Sequence, residues 1–90
     1  MPSLINQVNR ILAKNRTTIS VAESCTGGLL SSLLTQISGS SKYFKMAIVA
    51  YSNDAKIRLL KINERLLKNK GAVSKDIALA MAKAIRKIAK

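Results

Sequence analysis

The 90-residue chain contains no histidine, no tryptophan, one cysteine and only four acidic residues. Without histidine the chain cannot form a Ser-His or Cys-His dyad, and with so few carboxylates a metal site is not expected. The single cysteine, Cys25, excludes a disulfide within the chain and fits a reducing compartment. We therefore expect a cytoplasmic protein.

Long apolar runs are also missing. Residues 1–14 carry Arg10 and other polar side chains within their apolar pattern, so we interpret them as neither a signal peptide nor a membrane span. Sixteen Lys and Arg against four Asp and Glu give a formal charge of +12. Such a charge attracts phosphates, nucleic acids and anionic membranes. The basic residues are spread along the chain and aromatic residues are scarce, which indicates a solvated surface rather than a nucleic-acid-binding one.

The apolar residues, 48% of the chain, follow helical and strand periods in turn. Strands are predicted at 17–22 and 46–51, the second buried on both faces, with a right-handed parallel crossover between them. Helices are predicted after a Ser3 cap, over 26–37, from a cap at 52–54 to about Lys61, around 63–68, and after a Ser74 cap. The fold class is α/β, with a partly parallel sheet flanked by helices.

This sheet is too small for its helices. Two strands cannot cover the apolar faces of four helices on both sides. We therefore expect residues 1–90 to be the N-terminal portion of a single domain, whose remaining strands are missing or are supplied by another chain. A homo-oligomer or a complementing chain is the expected partner.

The segment 17–30 contains the main candidate site. Its strand is predicted to break at Glu23-Ser24 and to turn into a helix, where backbone N–H groups and the positive end of the helix suit a phosphate, a carboxylate or an oxyanion. Ser24 is the candidate nucleophile, although such residues often serve only as a cap and a turn. Thr26, Gly27 and Gly28 would offer N–H groups to the ligand, or the glycines would let the helix pack closely on the strand.

Lys56 is the candidate proton acceptor. In the absence of histidine, a lysine, a tyrosine or a carboxylate must take the proton of Ser24. A lysine can do so only where burial or a neighbouring cation lowers its pKa. Lys56 follows the second strand, and the carboxyl ends of parallel strands share the sheet edge where ligands bind. The alternative is a solvated lysine on a short helix.

The other polar residues near these two have structural alternatives as well. Glu23 can orient the turn, accept a hydrogen bond from substrate or form a salt bridge with a lysine. Tyr51 can be a core aromatic residue with a satisfied hydroxyl. Ser52 and Asn53 are interpreted as helix caps, and Cys25 as a small packing residue.

Four runs in this order resemble the CinA C-terminal domain family, which includes the PncC-type nicotinamide-nucleotide amidohydrolases. They are AESCTGGL at 22–29, GSSKYF at 39–44, IVAYSNDAK at 48–56 and GAVS at 71–74. The resemblance implies a cytosolic α/β enzyme that hydrolyses the carboxamide of nicotinamide mononucleotide to nicotinate mononucleotide and ammonia. It implies no metal and no organic cofactor.

The resemblance also implies roles for individual residues. Ser24 is the implied nucleophile, Lys56 its base, and Tyr51 the neighbour that positions the proton or the substrate. Thr26, Gly27 and Asn53 are implied to form the pocket wall.

Two departures from the family pattern stand out. Lys45-Met46-Ala47 replaces the paired glycines that usually precede the second strand, and the chain stops before a later loop rich in glycine and proline that helps to form the nucleotide pocket. The alternative function is therefore a non-catalytic remnant or subunit that binds a nucleotide or a partner chain. A basic nucleic-acid-binding protein is a third hypothesis, supported by charge alone.

Overall fold

The computed structural model describes residues 3–90, so the first two positions of the 1–14 segment lie outside the description. The predicted α/β class is confirmed, with two strands and five α-helices in this range. A short 3-10 helix at Ser40–Lys42 precedes the second strand. None of the helices in this range combines the length and the apolar character that crossing a membrane requires. The elements are α1 (Leu4–Asn15), β1 (Ile19–Glu23), α2 (Leu29–Thr35), β2 (Phe44–Val49), α3 (Asn53–Leu60), α4 (Glu64–Lys70) and α5 (Lys75–Ala89).

The helix starts follow the predicted serine caps. In each case the hydroxyl oxygen accepts the amide hydrogen of the residue three positions later, which satisfies one of the free N–H groups of the first turn. The distances are 3.2 Å for Ser3 and Asn6, 3.0 Å for Ser52 and Ala55, and 3.2 Å for Ser74 and Ile77. The three cap predictions are confirmed.

The two strands pair in parallel, as predicted, in a two-stranded sheet. β1 includes Glu23, where a break was expected, because the carbonyl of Glu23 accepts the amide of Ala50 at 2.8 Å and so extends the ladder. β2 begins and ends two residues earlier than predicted. The prediction that it is buried on both faces is wrong: Val49 is 45% exposed, since a two-stranded sheet cannot surround its own residues.

α2 begins at Leu29, three residues later than predicted. Gly27 and Gly28 have φ angles of +61° and +106°, in the left-handed region that favours glycine and interrupts a right-handed helix. A Cβ atom added at Gly28 would meet only Val49 Cγ2, at 3.7 Å, which is an ordinary contact. The backbone conformation, rather than close packing of helix on strand, therefore explains this glycine.

The main core lies between the sheet and the helices α3 to α5. α5 packs along both strands, while α2 packs on β2 and α1. Leu29, Leu30 and Leu33 of α2 remain 60%, 43% and 38% exposed, so this helix presents an uncovered apolar face. The buried core cluster consists of Ala50, Leu60, Ile62, Leu67, Ile77 and Met81.

Candidate functional site

The candidate site lies at the carboxyl edge of the sheet. Ser24 directly follows β1, and Tyr51 comes two residues after β2 ends. The hydrogen bond from the Ala50 amide to the Glu23 carbonyl, 2.8 Å long, ties the two exits together, and neighbouring strands lie about 4.8 Å apart. The chain therefore leaves the sheet side by side at Ser24 and at Tyr51.

Lys56 is buried at this edge, with 1% of its surface exposed. The alternative of a solvated lysine is therefore wrong. Its Nζ donates to the carbonyl oxygen of Tyr51 at 2.9 Å, and no ion pair to Lys56 occurs within residues 3–90. The hydrogen bond to this neutral acceptor holds the amine at the carboxyl edge of the sheet.

Ser24 is half-buried, and its hydroxyl has no hydrogen-bond partner in the described part of the chain. In particular, no hydrogen bond joins Ser24 Oγ to Lys56 Nζ. The two groups thus share a sheet edge without a hydrogen bond between them. Catalytic hydrogen bonds commonly tighten only when substrate is bound.

Glu23 is buried immediately before the candidate nucleophile, with 3% of its surface exposed. Its carboxylate accepts hydrogen bonds from Thr26 Oγ1 at 2.6 Å, from the amides of Leu30 and Ser31 at 2.9 Å each, and from the Ser31 hydroxyl. Burial raises the pKa of Glu23, but the bonds from Ser31, Thr26 and Leu30 outweigh burial and lower that pKa to about 2. No cation within residues 3–90 takes part, so the salt-bridge alternative is wrong.

The positive end of α2 is therefore occupied by an internal carboxylate. Three roles were predicted for Glu23, and these contacts match the first, in which its side chain orients the turn. The amide of Gly27 is also engaged, with the carbonyl of Ser24 at 3.1 Å. The amides of Cys25 and Thr26 donate no hydrogen bond within residues 3–90. These two groups, directly after Ser24, remain available for a ligand oxygen.

A cavity of about 300 Å³ opens beside Ser24, between the loop after β1 and the start of α5. Sequence reasoning missed the far wall of this cavity, although the GAVS run at 71–74 was one of the family-like segments. It also missed Ser31, which binds Glu23 across the glycine loop. Residues facing each other across the cavity include Ser24, Cys25 and Thr26 on one side and Ala72, Val73 and Ser74 on the other.

The profile of the CinA C-terminal domain matches residues 1–90, which is the whole chain. The chain belongs to the CinA C-terminal domain family. It is 51% identical over 83 residues to a CinA-like protein of Chlorobium limicola, covering 92% of this chain and 19% of that protein. It is 56% identical over 71 residues to a CinA-like protein of Geotalea uraniireducens, covering 79% of this chain and 17% of that protein. The chain thus spans about a fifth of these relatives.

Solved structures of CinA proteins have the same fold. The CinA superfamily protein of Escherichia coli matches with a TM-score of 0.92 and 29% identity, over 96% of this chain and 50% of that one. The competence/damage inducible protein CihA of Agrobacterium tumefaciens matches with a TM-score of 0.88 and 36% identity, over 100% of this chain and 57% of that one. The chain therefore corresponds to about half of each solved CinA structure.

The other predicted site residues lie outside the cavity beside Ser24. Lys56, Tyr51, Asn53, Gly27 and Gly28 do not line it. The side chain of Tyr51 is 71% exposed, so the core alternative is wrong and its contact with Lys56 is through the backbone carbonyl. Asn53 is exposed as the first residue of α3, and Ser52 alone provides the cap. Cys25 is exposed rather than packed.

Proposed function

We propose that this chain carries the nucleophile and the proton acceptor of an amide hydrolase that converts nicotinamide mononucleotide to nicotinate mononucleotide and ammonia. One observation carries the proposal: the buried amine of Lys56, bonded to the Tyr51 carbonyl at 2.9 Å, lies at the strand exit that is paired with that of Ser24. In a chain without histidine, a serine nucleophile and an amine base can together perform acyl transfer.

In this mechanism Ser24 Oγ attacks the carboxamide carbon while its proton passes to Lys56 Nζ. The negative charge that forms on the carboxamide oxygen is stabilised by the free amides of Cys25 and Thr26. Cleavage of the C–N bond releases ammonia, which takes the proton back from Lys56. Water, activated by the same amine, then hydrolyses the serine ester and releases nicotinate mononucleotide.

Other residues position these groups. Glu23 fixes the loop that carries Ser24, because its carboxylate joins the end of β1 to the first turn of α2. The Tyr51 carbonyl orients Lys56, and the exposed Tyr51 ring and Asn53 flank the same strand exit, where the ribose phosphate of the substrate would lie. The positive φ angles of Gly27 and Gly28 let the chain turn directly after Thr26.

The cavity beside Ser24 supports a flat, weakly polar group as the reacting end of the substrate. Ala22, Leu30, Val73 and Met81 contribute apolar surface to it. Its volume of about 300 Å³ is at the lower end of ligand pockets. A pyridine carboxamide fits this environment, whereas a charged phosphate would find no basic side chain in the lining.

The test is ammonia release from nicotinamide mononucleotide by the purified chain. Ser24→Ala should abolish release, whereas Ser32→Ala, at an exposed position of α2, should leave it unchanged. Because relatives and solved structures extend well beyond the matched part, the same pair of variants should be assayed over a wide range of protein concentration. Absence of ammonia at every concentration would contradict catalysis by this chain. Cytoplasmic location belongs to the same proposal, supported by the free thiol of Cys25.

A second candidate is a non-catalytic subunit that binds another chain. It is favoured by the exposed leucines of α2 and by a sheet in which each strand has one neighbour within residues 3–90. Gel filtration distinguishes the two, because a subunit of this kind should elute as a dimer or larger species. Elution as a stable monomer that also releases ammonia would leave the amidase as the function.

A further inference from the structure

A second concave surface lies at the opposite end of the sheet from Ser24. It is a cleft of about 720 Å³ between the amino ends of β1 and β2 and the last turns of α5. The serine hydroxyls and backbone amides of the candidate active site take no part in it. Its basic lining residues are Lys45, Lys83, Arg86, Lys87 and Lys90.

These five cations have no acidic side chain among them. The four acids of the chain lie elsewhere: Glu23 is buried at the other sheet edge, Asp54 pairs with Arg58 at 3.0 Å, Asp76 pairs with Lys70 at 3.8 Å, and Glu64 lies beside Lys68. The carboxyl end of α5 supplies about half a negative charge, and the α-carboxyl group of Lys90 in the 90-residue chain supplies one more. Together they balance fewer than two of the five cations.

The arrangement on α5 is unfavourable without a ligand. Lys83, Arg86 and Lys87 stand at i, i+3 and i+4, so they share one face of α5, where like charges repel, and Lys90 follows directly as the C-cap of this helix. Lys45 on β2 adds a fifth charge beside this face, and its Nζ donates to the main-chain carboxyl oxygen of Lys90, which ties the strand to the end of the helix. The cleft walls are thus joined, and an anion between them would relieve their repulsion.

Two hydroxyl groups add neutral donors. Thr18 and Ser20 line the cleft at the start of β1, and their hydroxyls have no hydrogen-bond partner in the described part of the chain. No aromatic side chain lines the cleft, so the bases of a single-stranded nucleic acid would have no stacking surface. The donors therefore match phosphate oxygens rather than bases.

We propose that this cleft binds a small anion carrying several phosphate groups, of the class of inorganic triphosphate or the triphosphate group of a free nucleotide. Several phosphates are required because a single one would leave most of the five cations unpaired. The proposal is independent of the amidase, since the two sites lie at opposite sheet edges.

The experiment is calorimetric titration of the full chain with inorganic triphosphate, ATP and orthophosphate at about 50 mM salt, where surface charges are only partly screened. Lys83→Ala with Lys87→Ala should weaken triphosphate binding by about tenfold or more. The matched control, Lys68→Ala with Lys75→Ala, removes the same charge outside the cleft and should change the affinity by less than about twofold. Circular dichroism verifies that both double variants are folded.

Equal affinity of triphosphate and ATP would identify the phosphates as the recognised part, and tighter binding of ATP would add a contact to the nucleoside; both results support the site. The proposal is overturned if the control weakens binding as much as the cleft variant, or if orthophosphate binds as tightly as triphosphate. It is also overturned if the wild-type chain binds no triphosphate, or if an oligonucleotide binds more tightly than triphosphate through the same lysines.

Discussion

The backbone amide of Ser31 donates to Oε2 of Glu23 at 2.9 Å, across a separation of eight residues. The amide of Leu30 donates to the other carboxylate oxygen, also at 2.9 Å. The end of β1 and the first turn of α2 are therefore joined by one buried side chain, and the loop carrying Ser24 is held at both ends. The stability of this loop, and the positions of its free amides, depend on that carboxylate.

Glu23→Gln is expected to destabilise the fold by about 1–3 kcal/mol, because the new amide NH₂ group faces donors where the carboxylate accepted hydrogen bonds. The free energy of unfolding in urea measures this change. Glu64→Gln, at an exposed acid in the first turn of α4, is the control and should cost less than about 0.5 kcal/mol. Equal losses in the two variants would contradict a special role for Glu23.

The free energy of unfolding should decrease as the pH is lowered, because Glu23 becomes protonated. Its pKa is lowered from 4.5 to about 2 in the folded state, so the stabilisation is complete above the unfolded value and is lost as the pH falls through the folded one. The free energy of unfolding of the wild type, measured in urea, should decrease between about pH 4.5 and pH 2. The share of this decrease that comes from Glu23 should be missing in Glu23→Gln. Parallel pH profiles for the two proteins would refute the assignment.

Lys56→Met should separate function from stability. Methionine keeps an unbranched apolar side chain in the buried position, so the main cost is the hydrogen bond that the Tyr51 carbonyl loses, about 1–3 kcal/mol at most. Amide hydrolysis should nevertheless be lost with the amine. Lys68→Met on the exposed face of α4 serves as the control and should alter neither property. A large loss of stability in Lys56→Met would instead indicate a structural cation.

Gly28→Ala should destabilise the chain by about 1–3 kcal/mol, because alanine must then adopt a φ of +106°. The space itself would accept a methyl group, since Val49 Cγ2 lies 3.7 Å from the added Cβ. Thermal unfolding compares this variant with Ser32→Ala, which puts the best helix former on the exposed face of α2. A Gly28→Ala protein as stable as the wild type would show that the loop relaxes to a negative φ.

The sequence predicted the larger features of the fold. Serine caps at Ser3, Ser52 and Ser74 act through local hydrogen bonds, so they could be identified without tertiary information. The parallel pairing followed from a strand–helix–strand order. Boundaries were less accurate: the paired glycines at 27–28 delay α2 by three residues, and a ladder hydrogen bond from Ala50 extends β1 through Glu23.

Burial was the property that the sequence predicted least well near the candidate site. Lys56 is a charged residue type and is buried, whereas Tyr51 and Cys25 are of types that favour the interior and are exposed. These outcomes depend on which neighbours are present around a two-stranded sheet, and periodicity does not encode that. The internal use of Glu23 depends on Ser31, eight residues away, which no short motif contains.

The exposure of Tyr51 has a practical consequence, because the chain has no tryptophan and only two tyrosines. Tyr43 is 2% exposed and Tyr51 is 71% exposed, so iodide added to the solvent should quench fluorescence almost entirely from Tyr51. The protein therefore carries a native optical reporter at the residue whose carbonyl holds the Lys56 amine. A molecule or subunit settling on that strand exit would shield the ring and become visible without any label.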